Sequence, residues 1–433
     1  MALKAPLAAR GLVTSAFVRD GAGVAVLGVI TGQVAIGLGL IAVPKLYSPT
    51  AFGLATSIFN CAAVLSVVAS FRLEVLLPSA PDRAVDVITR NAIALSAVLA
   101  IPLGIISCAA AKAWNLWGFA TSCALILSIA AVGIAGFHNA RLQQFRRTGL
   151  GKAAQGISQT GVLIGGGLAG GTAALAAFSF LSGYVVSAVT QLGHGFPARR
   201  PRSASVAVAV DWWKQAFLVL SALCNSTFVL GLVPLLAFFW GSADAGRVAI
   251  AQRLVTIPVA LLVVALQPIL LGRLSARWRV GDLGAAVLRR TMAKFSIVAV
   301  AYVICMIPLS GWALRASGSV AWSSAAKFVL PMCLLSAAQI AVNPLSMLPA
   351  TLGNWRGQAA WDILRVICLL AVVAFLRVTD RPSLTAVWAA TVVGVLFYIA
   401  QIPLIFSATT TSQQVGAKHR RSRRSQARRQ PLA

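Results

Sequence analysis

Two arginines lie within apolar stretches of this chain, Arg253 and Arg365. An arginine at the centre of a membrane-spanning helix costs roughly 2.5–3.5 kcal/mol on insertion scales, so each needs a physical reason for its position. The guanidinium of Arg253 could hold a phosphate or an acidic sugar by paired hydrogen bonds. The alternative is that the Arg253 side chain extends to the membrane surface and leaves the apolar interior.

Four charged residues at helix ends or on one helix face are candidates for coupling or gating: Arg72, Glu74, Asp362 and Arg365. Glu74 is the only glutamate of the chain, and a carboxylate near the membrane can change its charge by protonation. Asp362 and Arg365 are three residues apart, which brings them together on one helix face. A local ion pair and ordinary helix-end charges are the alternatives for these residues.

Amide side chains within the apolar stretches form a second set of candidates. Such groups can line a sugar-binding cavity, and they can equally join helices by hydrogen bonds. Together with Arg253, the candidates for a substrate-binding cavity are Asn60, Asn225, Gln252, Gln339 and Asn343.

The sequence predicts no catalytic centre, metal site or cofactor. Only nine acidic residues occur, without a DxD or DD cluster, and the seven cysteines form no CxxC pair. His138 and His194 are each predicted to lie alone in a loop on the cytoplasmic side, with His419 in the C-terminal tail. These observations argue against a membrane-bound glycosyltransferase, which needs a catalytic carboxylate or acidic metal ligands.

The composition is that of a multi-spanning membrane protein. The chain is 59% hydrophobic and 11% charged, with a mean hydropathy of +0.85, whereas soluble domains are about 25% charged. The net charge of +28 indicates cytoplasmic loops rich in lysine and arginine, and no nucleic-acid partner is predicted.

Twelve apolar spans predict an all-α fold of two six-helix bundles around a central cavity. Of the 37 lysines and arginines, 28 fall on one side of this arrangement and seven on the other, which places both termini in the cytoplasm. The predicted spans are 23–43, 53–71, 91–111, 116–137, 153–172, 174–193, 215–240, 248–271, 295–314, 327–349, 361–379 and 384–407.

The corresponding regions are two bundles, 23–193 and 215–407, joined by a cytoplasmic linker, 194–214. A short cytoplasmic segment, 1–22, precedes them, and a basic tail, 408–433, is predicted to be disordered and to lie on anionic membrane lipid. A turn at Tyr47–Gly53 is echoed at Trp240–Gly246, each between the first two spans of its half. This echo favours two parallel repeats.

Two stretches resemble Wzx-type polysaccharide and O-antigen flippases of the MOP superfamily. The first stretch contains Leu46-Tyr47-Ser48-Pro49-x-x-Phe52-Gly53, then Arg72-x-Glu74 and Pro78. The second, Asp211 to Ser275, contains Asn225-Ser226, Ala245-Gly246 and Ala251-Gln252-Arg253-Leu254-Val255-x-x-Pro258. Leu73 departs from the pattern, since the family often has tyrosine there, and the arginine-rich tail is also unlike it.

The resemblance implies a flippase of the bacterial cytoplasmic membrane that carries polyprenyl-diphosphate-linked oligosaccharide by alternating access. Its product would supply a surface polysaccharide polymerase and other assembly proteins. A cation-coupled multidrug exporter of the same superfamily is the alternative, but a cationic cargo calls for carboxylates within the spans. A lipid II flippase of the same superfamily is a closer alternative than the exporter, but that branch typically has two further spans, which this sequence does not show.

Overall fold

The computed structural model describes residues 22–193, 212–279, 284–316, 320–346, 348–351 and 354–427. These residues are almost entirely helical and contain no strand. The longer elements are joined by short helical segments. Two are single α-helical turns, Val320–Ser323 and Leu348–Thr351, and two are 3-10 segments, Leu73–Ser79 and Ser324–Phe328. The long helices are α1 (Ala22–Leu46), α2 (Pro49–Ala69), α3 (Asp82–Ala110), α4 (Leu116–Arg141), α5 (Phe145–Leu168), α6 (Ala173–Leu192), α7 (Trp212–Leu230), α8 (Leu232–Trp240), α9 (Ser242–Arg279), α10 (Ala285–Ala316), α11 (Val329–Ser346), α12 (Trp355–Val378) and α13 (Ser383–Ala427).

Every predicted span overlaps one of these helices, and the chain is an all-α, multi-spanning membrane protein. Within the described residues, nine helices are long and apolar enough to cross a membrane, and the bent pair of α7 and α8 would make a tenth. The other two predicted spans correspond to α5 and α9. Helix α5 is less apolar because it carries Lys152, Gln155 and Gln159 among several glycines.

The turn between α5 and α6 forms where the sequence predicts it. Gly170 and Gly171 have backbone φ angles of 124° and 61°, a region that glycine enters without steric cost. Thr172 then caps α6 through its side-chain oxygen, which accepts a hydrogen bond from the Leu175 amide at 3.3 Å.

The C-terminal helix is longer than its predicted span. Composition predicts a disordered tail from residue 408, but α13 continues to Ala427. Alanine, arginine, lysine and glutamine all have high helix propensity, so the tail can extend a helix that begins in the membrane. The last six residues lie outside the described part of the chain, as do the N-terminal segment 1–21 and most of the predicted linker.

Helices α1 and α5 approach each other through glycines. A side chain at Gly28 would overlap the Gly149 backbone, one at Gly32 would overlap the Lys152 carbonyl, and one at Gly156 would overlap the Gly32 carbonyl. In a membrane, small residues of this kind allow helix backbones to pack closely. The contact fixes the start of α5, including Lys152, against α1.

The chain forms two compact units. Unit 1 comprises Met1–Ile257 together with Ala313–Ala326, and unit 2 comprises Pro258–Trp312 together with Lys327–Ala433. Unit 1 therefore contains α1–α8, the first part of α9 and the turn at Val320–Ser323, whereas the predicted six-helix bundles divide the chain at 194–214. The described candidate residues up to Arg253 belong to unit 1, and the candidates from Gln339 onwards belong to unit 2.

The glycine contact between α1 and α5 makes the first prediction. Gly156→Val forces a side chain into the Gly32 backbone and should lower stability by about 1–3 kcal/mol, the usual cost of overpacking. Thermal unfolding in detergent, followed by the loss of the monodisperse peak, measures this. Gly161→Val is the matched control, because it lies on the same helix with nothing within 4 Å of the added carbon. Equal losses in the two variants would contradict the close approach.

Candidate functional site

Arg253 lies on α9 within unit 1, with its guanidinium against three aromatic rings. The guanidinium carbon is 4.2 Å from the ring centroid of Phe180, 5.0 Å from that of Phe59 and 6.0 Å from that of Phe52. The faces of aromatic rings attract cations, with energies of about 2 kcal/mol or more where water is excluded. We call these three phenylalanines the Arg253 cage.

The cage follows from helix periodicity. Phe52 and Phe59 are seven residues apart on α2 and therefore share one face of that helix. Phe59 and Phe180 pack at 4.8 Å between ring centroids, and Phe52 and Phe180 at 6.5 Å. Each ring is therefore held by another ring as well as by its own helix.

Trp322 braces the cage on the side of Phe52. Its ring lies edge-on to Phe52 at 6.1 Å, and its indole N–H donates a hydrogen bond to the Tyr47 carbonyl oxygen at 3.1 Å. The Tyr47 hydroxyl in turn donates to the Leu163 carbonyl oxygen at 2.8 Å. The turn between α1 and α2, part of the motif in the sequence, thus positions an aromatic wall of the site.

No carboxylate neutralises Arg253. Among the described residues, none of the ion pairs includes it, and no acceptor is hydrogen-bonded to its guanidinium. The residue is partly buried, and none of its guanidinium nitrogens is among the fully buried side-chain atoms that lack a hydrogen-bond partner. The rings stabilise the charge from one side and leave the hydrogen-bonding edge of the guanidinium available for an anion.

Two of the predicted cavity amides hydrogen-bond to a helix break. Helices α7 and α8 are bent by 59° around Gly231, which frees backbone carbonyls. The Asn60 side-chain nitrogen donates to the Leu230 carbonyl oxygen at 3.0 Å, and that of Gln252 donates to the Val229 carbonyl oxygen at 3.1 Å. Broken helices persist in membranes only where neighbouring groups satisfy such carbonyls. These contacts give Asn60 and Gln252 a structural role beside the predicted one.

Asn225 lies on α7, five residues before that helix ends at Leu230, and the residue is exposed. The structure therefore places Asn60 and Gln252 at the α7–α8 break, and Asn225 earlier on α7. Asn60 lies next to Phe59, and Gln252 lies next to Arg253, so the break and the cage are adjacent. Their predicted substrate contact remains a prediction.

The remaining predicted amides belong to a polar cluster in unit 2. Asp362 and Arg365 form the predicted ion pair at 3.3 Å, and the Gln358 side-chain nitrogen donates to Asp362 at 3.2 Å. The guanidinium carbon of Arg365 is 5.6 Å from the ring centroid of Tyr398, with only 2% of the Arg365 residue exposed. The sequence placed this pair at the cytoplasmic end of a helix, whereas the structure buries both side chains.

Tyr398 connects the ion pair to the predicted cavity amides. Gln339 and Asn343 lie one turn apart on α11, and their side chains are near enough to its hydroxyl to act on it electrostatically. Helices α11, α12 and α13 thus each contribute to this unit 2 cluster. Unlike Arg253, Arg365 has its counter-charge within the chain.

The third charged pair lies in the turn between α2 and α3. Arg72 and Glu74 are 3.7 Å apart, and Arg72 has a left-handed backbone conformation, with φ of 56°. The side chain of Gln215 holds this turn by donating to the carbonyl oxygens of Arg72, at 2.6 Å, and Phe71, at 3.1 Å. Glu74 is buried, and one of its carboxylate oxygens has no hydrogen-bond partner among the described residues. A buried carboxylate with one unsatisfied oxygen suits the predicted coupling role.

The prediction for His138 is wrong in one respect. The residue lies near the end of α4, not in a loop, and it is buried with its Nδ1 3.1 Å from the Thr89 hydroxyl oxygen. Helix α4 continues past the predicted boundary to Arg141, whose guanidinium pairs with the exposed Asp82 at 2.7 Å. His194 lies outside the described residues. No group of three or more potential metal ligands occurs in the described part of the chain.

Sequence reasoning missed two classes of functional candidate. The cage phenylalanines were not among the predicted site residues, although the seven-residue spacing of Phe52 and Phe59 was visible. Lys152 was assigned to a cytoplasmic loop, although it lies within α5 and donates a hydrogen bond to the Gln155 side-chain oxygen at 3.1 Å. The glycines that surround Lys152 in the sequence are the signal that could have indicated a packed helix there.

Comparison with solved structures identifies the fold. A multidrug resistance MATE family transporter of the MOP superfamily, in its inward-facing conformation, aligns with a TM-score of 0.54 at 13% identity over 91% of this chain and 96% of that one. A MATE structure in complex with MaD5 gives 0.56 at 13% identity, with the same coverage. An outward-facing MATE family transporter gives 0.52 at 14% identity over 92% of this chain and 95% of that one.

No family model matches the sequence, and no curated protein matches it. The structural likeness at such low identity shows that this chain shares the fold of these solved structures. It leaves the cargo to be argued from the residues of this chain.

The amides at the helix break give a second prediction. Asn60→Leu leaves the partly buried Leu230 carbonyl without its donor, which should cost about 1–3 kcal/mol of stability. Thermal unfolding in detergent measures the loss. Asn91→Leu, the same change at an exposed position of α3, should leave the unfolding temperature nearly unchanged. A stable Asn60→Leu protein would show that the hydrogen bond is not needed by the bend.

The unit 2 ion pair gives a third prediction. Asp362→Asn leaves Arg365 charged and buried, which should cost about 3–5 kcal/mol. The double variant Asp362→Leu with Arg365→Met should recover most of this loss, since an apolar pair of similar volume is tolerated. Asp380→Asn is the control, because its exposed pair with Arg377 should contribute less than about 1 kcal/mol. Failure of the double variant to regain stability would contradict a purely local charge balance.

Proposed function

We propose that this chain is a flippase that moves a polyprenyl-diphosphate-linked oligosaccharide across the bacterial cytoplasmic membrane for surface polysaccharide biosynthesis. The observation that carries the proposal is Arg253, an accessible cation held on aromatic rings without a carboxylate partner. The fold agrees with it, because solved structures of this fold include inward-facing and outward-facing conformations. Alternating access requires two such states that differ by only a few kcal/mol.

The chemistry of the site favours an anionic cargo. A guanidinium presents paired N–H donors that match two oxygens of a phosphate, and each charge-assisted bond is about twice as strong as a neutral one. In a site with little water, the attraction between such a cation and a phosphate is larger than in bulk water. The lipid-linked diphosphate would therefore bind at Arg253 while its polyprenyl chain stays in the bilayer and its glycan passes through the protein.

A cation-coupled multidrug exporter is the alternative, since one solved structure of this fold is a multidrug resistance transporter. A cationic drug would need an unpaired carboxylate inside the protein. In the described residues, the two buried carboxylates, Glu74 and Asp362, are each already paired with an arginine. The charge distribution therefore favours the flippase over the exporter.

We further propose that Glu74 takes part in coupling transport to a proton or another cation. Its unsatisfied carboxylate oxygen can accept a proton, and protonation would weaken the Arg72 pair that holds the α2–α3 turn. Both termini would lie in the cytoplasm, and the partners would be the lipid-linked oligosaccharide, membrane lipid and polysaccharide assembly proteins such as a polymerase.

Deletion of the gene in its own bacterium tests the proposal. The surface polymer should be lost, and complete repeat units should accumulate on the lipid carrier, as seen by mass spectrometry of extracted lipids. Wild-type protein and Lys45→Ala, which removes an exposed lysine, should restore the polymer. Arg253→Ala, which loses a charged contact to the cargo, and Glu74→Gln, which loses the coupling carboxylate, should each restore less than about a tenth of it.

The opposite results would identify the exporter. An unchanged polymer and lipid pool in the deletion strain, together with increased sensitivity to cationic drugs, would overturn the flippase proposal. All variants must be present in the membrane at wild-type amounts, which immunoblotting of the membrane fraction checks.

A further inference from the structure

The chain returns to unit 1 for a short distance between the long helices α10 and α11. Pro258–Trp312 belong to unit 2, Ala313–Ala326 belong to unit 1, and Lys327–Ala433 belong to unit 2 again. Residues 320–326, which we call the Trp322 segment, form a single helical turn and the start of a 3-10 segment. This segment therefore belongs to unit 1, although the chain that leads into it and away from it belongs to unit 2.

Trp322 is the side chain that attaches this segment to unit 1. Only 1% of Trp322 is exposed, and its ring lies edge-on to the buried ring of Phe52, with 6.1 Å between the centroids. Its indole N–H donates a hydrogen bond to the Tyr47 carbonyl oxygen at 3.1 Å. A buried indole removes a large apolar area from solvent, and its N–H needs an acceptor, so both contacts favour the attached position.

Helix α9 provides a second, weaker contact to the Trp322 segment. The side-chain Nε of Arg247 donates to the Ala321 carbonyl oxygen at 3.4 Å, which is long for a hydrogen bond, and the contact is exposed. The first turn of α9 lies against α2, because a side chain at Gly246 would overlap the Pro49 carbonyl. The segment thus contacts α9 through Arg247 and α2 through Phe52, where these two helices meet.

The path of the chain gives this contact a mechanical consequence. Because both neighbouring stretches belong to unit 2, any movement of unit 2 relative to unit 1 either pulls the Trp322 segment from its place or is held back by it. Solved structures of this fold include inward-facing and outward-facing conformations. Transporters that alternate between two such states do so largely by movement of one helical bundle against the other.

We propose that the Trp322 segment is a latch, with the indole docked beside Phe52 in one transport state and withdrawn in the other. The docked indole stabilises the first state, and its release is part of the transition to the second. Phe52 is also a member of the Arg253 cage, so release of the latch removes one support of the cage. This inference rests on the transporter fold and holds for either cargo.

Spin-label distances in the purified full-length protein in detergent test the latch. The labels are attached at Leu116→Cys in unit 1 and Val378→Cys in unit 2, which are 83% and 86% exposed, after the seven native cysteines are replaced by alanine. Double electron–electron resonance then measures the distribution of distances between the two units. Trp322→Ala should change the ratio of the two states by at least about tenfold, because the docked state loses a buried aromatic contact and a hydrogen bond.

Trp312→Ala is the matched control. It removes another tryptophan, ten residues earlier on α10, whose side chain is 66% exposed. The distance distribution of this variant should equal that of the labelled protein without it.

Trp322→Phe provides an independent variant if Trp322→Ala does not fold. It keeps an aromatic ring beside Phe52 and removes only the hydrogen bond to the Tyr47 carbonyl. The ratio of the two states should therefore change by about three- to tenfold, the size of one hydrogen bond.

The outcomes separate the latch from a static contact and from the proposed cargo. An unchanged distance distribution in folded Trp322→Ala or, where that variant does not fold, in Trp322→Phe would overturn the latch. Failure of both variants to fold would also overturn it, because a contact that is released in every transport cycle cannot be required for the fold. The labels report without any cargo, so each of these results leaves the flippase proposal to the deletion strain.

Discussion

A charged guanidinium inside a membrane-spanning unit must be stabilised, and this constraint governs the organisation of unit 1. Arg253 has three aromatic rings on one side and no carboxylate, so the protein stabilises the charge without neutralising it. The rings need their own supports, which explains why Trp322 and the Tyr47 turn are buried against Phe52. The adjacent break between α7 and α8 needs Asn60 and Gln252 to satisfy its carbonyls. The proposed anion site at Arg253 would account for polar and aromatic contacts that otherwise look unrelated.

The two units treat their interior charges differently. In unit 2, Arg365 and Asp362 neutralise each other and are sealed by Gln358 and Tyr398, so no net charge is left for a ligand. In unit 1, the positive charge remains uncompensated. The fold alone would accommodate cargoes of either sign, and the distribution of these few side chains is what makes an anionic cargo the better match.

The sequence was sufficient for features that depend on local pattern. Apolar run length located the spans, the paired glycines located the α5–α6 turn, and the three-residue spacing predicted the Asp362–Arg365 pair. It was not sufficient where a residue's role depends on a distant helix. Asn60 is a cap for the α7–α8 break only because that break lies beside it, although Gly231 was a visible signal for a bend.

Lys152 shows why charge counting fails inside α5. Counting basic residues by loop assumes that a lysine near an apolar boundary lies in water, and the low hydropathy of α5 supported that assumption. The low hydropathy has another cause, since glycine and glutamine on α5 face neighbouring helices. Only the packed structure shows that the Lys152 ammonium group lies within a helix and donates to the Gln155 side chain.

The glycine contact between α1 and α5 has a consequence for the evolution of this chain. Any single-base change in a glycine codon that alters the residue without ending translation adds at least a β-carbon, and at Gly32 and Gly156 that carbon would meet a backbone carbonyl. These positions are therefore closed to ordinary point mutation, while the aromatic and amide residues around them can still vary among similar types. The side chains that set substrate preference can therefore change during evolution while the glycines of the α1–α5 contact stay the same. Relatives with different cargoes should keep this contact and differ in the side chains that it positions.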